Sequence, residues 1–377
     1  MPSTDTRKPK RLLTVGPLPP PLNGTSISFR IFCDEVARYG DDVALDVIDS
    51  APRELKERPK IVTMANLRKA AKILWQFSRR IGKADVTLIV GSHQFLLSIG
   101  SLCFLIAKLA RKPCYFRSFG YLDRYYENLS LVPRWVFRHV MLNLDGLFVE
   151  SRLSQDNLRP RVGEKVRAVP GYRLMPDATS DAPGDRSAPG GDLRLVFLAH
   201  VREEKGVFIL LEALRTLAET HGRSVHCDIY GPVLEGSRER FDLEIESTSN
   251  ATYGGVLQPT KVVETLAQYD ALVFPTFYAG EGHPGVLMEA MMAGIPSITT
   301  AHRSIPELVE DGVNGLLIEP GSVAELVEAI RTIDSDRKLL KELARASRRA
   351  RNNYDAAKVV PHWLKLMQLS VGTGHGH

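Results

Sequence analysis

Nine short apolar runs recur along the chain, and helix-length amphipathic segments separate most of them. In the first half they are RLLTVG (11–16), VALDVID (43–49), DVTLIVG (85–91), PCYFRSF (113–119) and GLFVES (146–151). In the second half they are LRLVFLA (193–199), SVHCDIYG (224–231), ALVFPT (271–276) and PSITT (296–300). Parallel strands need a crossover of helix length between them, so this alternation predicts parallel α/β sheets. Between the halves lies PDATSDAPGDRSAPGGD, which has almost no large apolar side chain to bury and reads as a linker over 177–192. The expected organisation is a first domain over 1–176, a second over 193–353, and a last amphipathic helix over 354–369 that returns to the first. Two open α/β domains on a linker imply a cleft, and ligands bind beyond the carboxyl ends of parallel strands.

The 377 residues, 44% hydrophobic and 25% charged, belong to an ordinary globular chain of about two domains. Cys33, Cys103, Cys114 and Cys227 are scattered, which points to reduced thiols and not to zinc or a disulfide framework. The first apolar run is too short and Pro-rich for a signal peptide, so a cytoplasmic location is expected, with the inner face of the cell membrane as an option. QFLLSIGSLCFLIAKLA (94–110) falls short of a membrane span and reads as a buried helix, with a membrane-dipping segment as the alternative. Charge is divided unevenly. Residues 1–190 carry 30 Lys and Arg against 19 Asp and Glu, or +11, whereas 191–377 carry 19 against 25, or −6.

The most informative stretch is PTFYAGEGHPGVLMEAMMAGIPSITT, 275–300. A strand ends, a Gly/Pro loop carries Glu281, and a helix runs from about Gly285 to Ala293 before Gly294 and Pro296 stop it. Gly285 at the helix start lets the amides of Gly285, Val286 and Leu287 approach an anion, best a phosphate. Glu289 falls one turn on, on the Gly285 face, and suits the two hydroxyls of a ribose. Glu281 suits another polyol. The plainer reading makes both glutamates solvated charges, and spacing alone leaves both readings open.

In this context the segment resembles the Glu-x7-Glu region of retaining glycosyltransferases of family four (glycosyltransferase group 1), which have the GT-B fold. LAHVREEKGVFILLEAL (198–214) resembles the family's strand–loop–helix with an Arg and a Lys, here Arg202 and Lys205. CDIYGPVLEG (227–236) resembles its Gly-x-Gly-Pro region, with Tyr230 where the first Gly often sits. Residues 259–276 and 305–330 complete the likeness. The resemblance implies a nucleotide-sugar site in the second domain. Arg202 and Lys205 would meet the diphosphate, Glu281 the donor sugar, Glu289 the ribose, and Gly285, Val286 and Leu287 would supply amides. It implies no cofactor or metal, with a UDP-sugar favoured over a GDP-sugar. The one Asp-x-Asp considered, Asp334-Ser335-Asp336, reads as a helix cap.

The resemblance also implies an acceptor-binding first domain whose Gly-rich loop reaches the donor. Here that loop offers Asn23 and Gly24, both able to adopt a left-handed backbone. The family's His-Gly is replaced by Phe119-Gly120, which leaves Arg117 and His93 as acceptor-side candidates. In NLRKAAKILWQFSRRIGK (66–83), Ala70, Ile73, Leu74, Phe77 and Ile81 share one helical face among Arg and Lys. That suits an anionic membrane or, more plainly, an amphipathic domain helix with a solvated basic rim. No nucleic-acid motif is present. The expected function is retaining sugar transfer to a glycan or lipid-linked acceptor. A transferase acting on a small soluble acceptor and a GT-B nucleotide-sugar epimerase are the alternatives.

Overall fold

A computed structural model describes residues 8–51, 63–176, 192–220 and 225–369. The expected linker, apart from Asp192, and the histidine-containing tail lie outside the described residues. The chain divides into two compact units, Met1–Leu174 with Ala356–His377, and Met175–Asp355.

The first unit holds β1 (Lys10–Gly16), β2 (Val43–Asp49), β3 (Val86–Ser92), β4 (Cys114–Phe119), β5 (Gly146–Val149) and β6 (Val166–Ala168). They form one sheet, β2-β1-β3-β4-β5-β6, with every pairing parallel. Its central strands are buried along most of their length because helices cover both faces. On one face Phe32 from helix Gly24–Ala37 meets Trp363 from helix Ala356–Leu366, ring centroids 4.6 Å apart. On the other lie helices Met64–Arg80, Ser101–Leu109, Leu131–Asn143 and Arg152–Val162, which bury Phe77, Phe104, Phe137 and Leu158 in one core.

Two expectations about this layer change. Ile73, Phe77 and Ile81 face the core, so the apolar stripe of segment 66–83 is not a free surface. Segment 94–110 is not a wholly buried helix: it turns at His93–Phe95, widens to a π-helix over Leu96–Gly100, and exposes leucines along Ser101–Leu109. Among the described residues no helix is long and apolar enough to cross a membrane.

The second unit holds β7 (Leu193–Leu198), β8 (Val225–Tyr230), β9 (Ala251–Gly255), β10 (Ala271–Phe274), β11 (Ser297–Thr300) and β12 (Gly315–Ile318). Its sheet is β12-β11-β10-β7-β8-β9, again parallel throughout. Asp336 caps helix Arg337–Ala350 by accepting from the Leu339 amide at 2.9 Å. Ser322 caps helix Val323–Ser335 by accepting from the Glu325 amide, and the Glu325 carboxylate accepts from the Glu319 amide.

Trp363 is fully buried and belongs to the first unit's core, although helix Ala356–Leu366 is remote from that core in sequence. Trp363→Ala is expected to remove about 3–5 kcal/mol in urea unfolding. Trp363→Phe should cost clearly less, because the indole N–H has no acceptor to lose.

Candidate functional site

In the second unit the chain leaves β7 for β8 on one side, while β10 lies on the other. This is a topological switch point, where loops beyond the two carboxyl ends diverge and open a crevice. Arg202 and Lys205 lie in the loop after β7, and Glu281 in the loop after β10.

The two loops are joined at close range. Gly206 has φ +81°, and a Cβ there would lie 2.1 Å from the Pro275 carbonyl oxygen, so only glycine permits the approach. The Glu204 carbonyl accepts from the Phe277 amide at 2.9 Å and lies 3.1 Å from Thr276 Oγ1. Behind them Gly231, φ +130°, lies against Ala199, where a Cβ would come within 1.8 Å of the carbonyl oxygen. Strand β11 and its continuation brace the second loop. Thr300 donates to the Thr276 carbonyl, Ser304 donates to the Gly282 carbonyl, and the His302 ring meets the Tyr278 carbonyl.

On this frame Lys205 Nζ donates to both Glu281 oxygens, at 3.0 and 2.8 Å. Thr276 Oγ1 donates to the same carboxylate at 2.8 Å. The pair is largely buried, with side-chain exposures of 16% and 8%. Lys205 Nζ lies 4.7 Å and the Arg202 guanidinium 5.2 Å from the centroid of the Tyr278 ring, so one aromatic ring meets two cations. Arg202 is bidentate to Glu204 at 2.8 and 2.6 Å, which holds the Glu204 carboxyl below its usual range. His200 is pushed below its ordinary pKa by burial first and then by Lys205 and Arg202. The imidazole is therefore neutral near pH 7.

Helix Gly285–Ala293 starts at Pro284 with no side-chain cap and ends at Gly294 in the left-handed region, φ 76°. Gly285 and Val286 open its first turn. Leu287 differs from expectation: its side chain is fully buried and its amide donates to the Pro284 carbonyl at 3.2 Å. A tight first turn consumes that N–H, so Leu287 is not an anion donor here. Glu289 is half-buried on the next turn.

Residues 181–351 match the family described as glycosyl transferases group 1. This region belongs to the group 1 glycosyltransferases. Among named relatives, the colanic acid biosynthesis glycosyltransferase WcaL of Escherichia coli is 30% identical over 191 residues, 48% of this chain and 46% of that protein. The amylovoran biosynthesis glycosyltransferase AmsK of Erwinia amylovora is 31% identical over 154 residues, 37% and 36% of the two chains. The chain thus spans less than half the length of these relatives. Across the whole fold, Anabaena Alr3699/HepE in complex with UDP has a TM-score of 0.71 at 18% identity, covering 95% of this chain and 99% of that one. Sucrose-phosphate synthase from Thermosynechococcus elongatus has a TM-score of 0.73 at 16% identity, covering 95% and 98%. This chain therefore has the two-domain α/β GT-B fold.

The first unit has its own switch point, between β1 and β3. Asn23 and Gly24 lie after β1 and His93 directly after β3. Neither Asn23 nor Gly24 is left-handed. Asn23 has φ −153° and N-caps helix Gly24–Ala37 by accepting from the Ser26 amide at 2.9 Å, and Gly24 is that helix's first residue. The His93 ring packs 4.9 Å from Tyr121 and 4.0 Å from Tyr125, and burial pushes its pKa down to about 4. Arg117 does not fit an acceptor-side role. It is fully buried, donates to the carbonyls of Val149, Val169 and Pro170, and lies 5.2 Å from the Trp363 ring centroid. It fastens β4 to the end of β5 and to the chain that follows β6.

Sequence reasoning missed Thr276, Tyr278 and His200. Each becomes visible only when the two loops meet. Lys205→Ala leaves Glu281 buried with its cation gone and should cost about 3 kcal/mol in denaturant unfolding. Adding Glu281→Gln should return a large part of that loss, because no buried charge is then stranded.

Proposed function

We propose that this chain is a retaining glycosyltransferase. It moves a sugar from a nucleotide-diphosphate sugar to a glycan or lipid-linked acceptor in the assembly of a cell-surface polysaccharide or glycolipid. The observation that carries the reading is the Lys205–Glu281 pair at the β7/β10 switch point, beside the uncapped start of helix Gly285–Ala293.

As the glycosyl bond breaks, negative charge grows on the departing diphosphate. Fixed cations and amide dipoles stabilise that charge without reorganising. A lysine ammonium has three N–H donors, so Lys205 can hold Glu281 with two and meet a phosphate oxygen with the third. Arg202 supplies a second cation. The amides of Gly285 and Val286 add the positive end of the helix dipole. Glu281, fixed by Thr276, accepts from hydroxyls of the donor sugar, and Glu289 accepts from the ribose. With two cations and a helix terminus assigned to the charge, no metal is required. The nucleoside is taken as uridine before guanosine, a choice supported by the UDP in the HepE complex. His93, neutral and half-buried directly after β3, is the acceptor-side candidate, together with the turn at Asn23 and Gly24.

Polysaccharide assembly is supported by the names of the colanic acid and amylovoran relatives. A cytoplasmic location is supported by four buried, unpaired cysteines.

The test is thermal stabilisation of the purified chain by UDP- and GDP-sugars in the presence of a chelator. A ligand at about 100 times its Kd adds roughly 2.7 kcal/mol. One nucleotide should stabilise the wild type, and Lys205→Ala/Glu281→Gln should lose most of that shift. Equal stabilisation of both proteins removes Lys205 from the donor site. With the donor known, NMR of the product should show the donor's anomeric configuration preserved, and an inverted product overturns the retaining assignment.

A further inference from the structure

Helices Met64–Arg80, Ser101–Leu109 and Leu131–Asn143 lie side by side on one face of the first sheet and share one core. Their outer sides are unlike an ordinary solvated face. Helix Ser101–Leu109 exposes Leu102, Leu105 and Leu109, by 49, 53 and 78%. Helix Leu131–Asn143 exposes Leu131, Trp135 and Leu142, by 82, 69 and 41%, a spacing of one, two and three turns. Helix Met64–Arg80 adds Met64 and Trp75. Single exposed apolar residues need no explanation, but a run of them across three adjacent helices does.

The charges on the same helices are all of one sign. None of the three contains an Asp or Glu. They carry Arg68, Lys69, Lys72, Arg79 and Arg80 on the first, Lys108 on the second, and Arg134 and Arg138 on the third. Asp46 and Asp145, from neighbouring segments, pair with Arg80 and Lys108. Arg68, Lys72, Arg79 and Arg138 are exposed among the apolar side chains. The Arg79 guanidinium lies 5.2 Å from the Trp75 ring centroid, an indole and a cation side by side at the surface.

We propose that this three-helix face docks the chain on an anionic lipid bilayer. Apolar side chains enter the headgroup boundary while basic ones meet lipid phosphates, and the helices lie on the membrane without crossing it. A second copy of the chain fits less well. A two-fold contact through this face would set its basic side chains against their own copies. The proposal does not depend on donor chemistry, since every residue in it belongs to the first unit and none is assigned to the nucleotide sugar.

The test is flotation of the full chain with phosphatidylcholine vesicles, and with vesicles in which about a third of the lipid is phosphatidylglycerol. The wild type should float with the anionic vesicles, at least about tenfold more weakly with the neutral ones, and less as salt shortens the screening length. Arg138→Gln should weaken binding about fivefold. Leu105→Ser/Leu131→Ser/Trp135→Ser should weaken it by about tenfold or more with an unchanged unfolding midpoint, because all three side chains are exposed. Independently of those variants, a Trp75→Phe background leaves Trp135 and the buried Trp363, and anionic vesicles should blue-shift emission from Trp135 alone. Equal binding to both vesicles, undiminished binding by the triple variant, or an unshifted Trp135 overturns the proposal. So does a wild-type dimer that ignores vesicles and that the triple variant converts to monomer.

Discussion

The approach of the β7 loop to the β10 loop is the constraint on which the site depends. Gly206 lies against the Pro275 carbonyl with no room for a side chain, and the Glu204 carbonyl accepts from the Phe277 amide. These contacts bring together residues 76 positions apart, so Lys205 and Glu281 meet as a buried pair. Once the pair is placed, the rest follows from charge. The Tyr278 ring meets both Lys205 and Arg202, the His200 imidazole stays neutral beside them, and the start of helix Gly285–Ala293 adds a third positive element. A parallel sheet makes such a site at its switch point because adjacent loops leave in opposite directions there.

The two sheets and their central strands were legible from the alternation of apolar runs with helices, because central parallel strands are buried on both faces. β6, β9 and β12 were not. β6 has three residues, β9 alternates between half-buried and exposed and ends in two glycines, and β12 has four residues after a turn. All three are at or near sheet edges, where little burial disciplines the sequence. Helix Gly285–Ala293 was legible to its ends, since Gly294 adopts the left-handed conformation that its position suggested.

At the site, individual residues were legible and their partners were not. Lys205 and Glu281 could each be singled out, but only folding shows that they bind each other. Arg117 misled because a charged residue in a strand resembles a functional group. Its three carbonyl acceptors come from distant segments that no local pattern links to it. The basic first half of the chain was plain from composition, yet the apolar stripe singled out within it belongs to the core. The exposed stripe lies on the opposite side of the same helix and on its two neighbours.

The central claim is that Lys205 reads the terminal phosphate of a nucleoside diphosphate. The direct measurement is calorimetric titration of the wild type and Lys205→Ala/Glu281→Gln with a nucleoside monophosphate and the matching diphosphate. A hydrogen bond to a charged group is worth about 1.5–3 kcal/mol, so the wild type should prefer the diphosphate by about tenfold or more. In the variant that preference should collapse towards equality while monophosphate binding persists. The same preference in both proteins would contradict the assignment of Lys205 to the diphosphate.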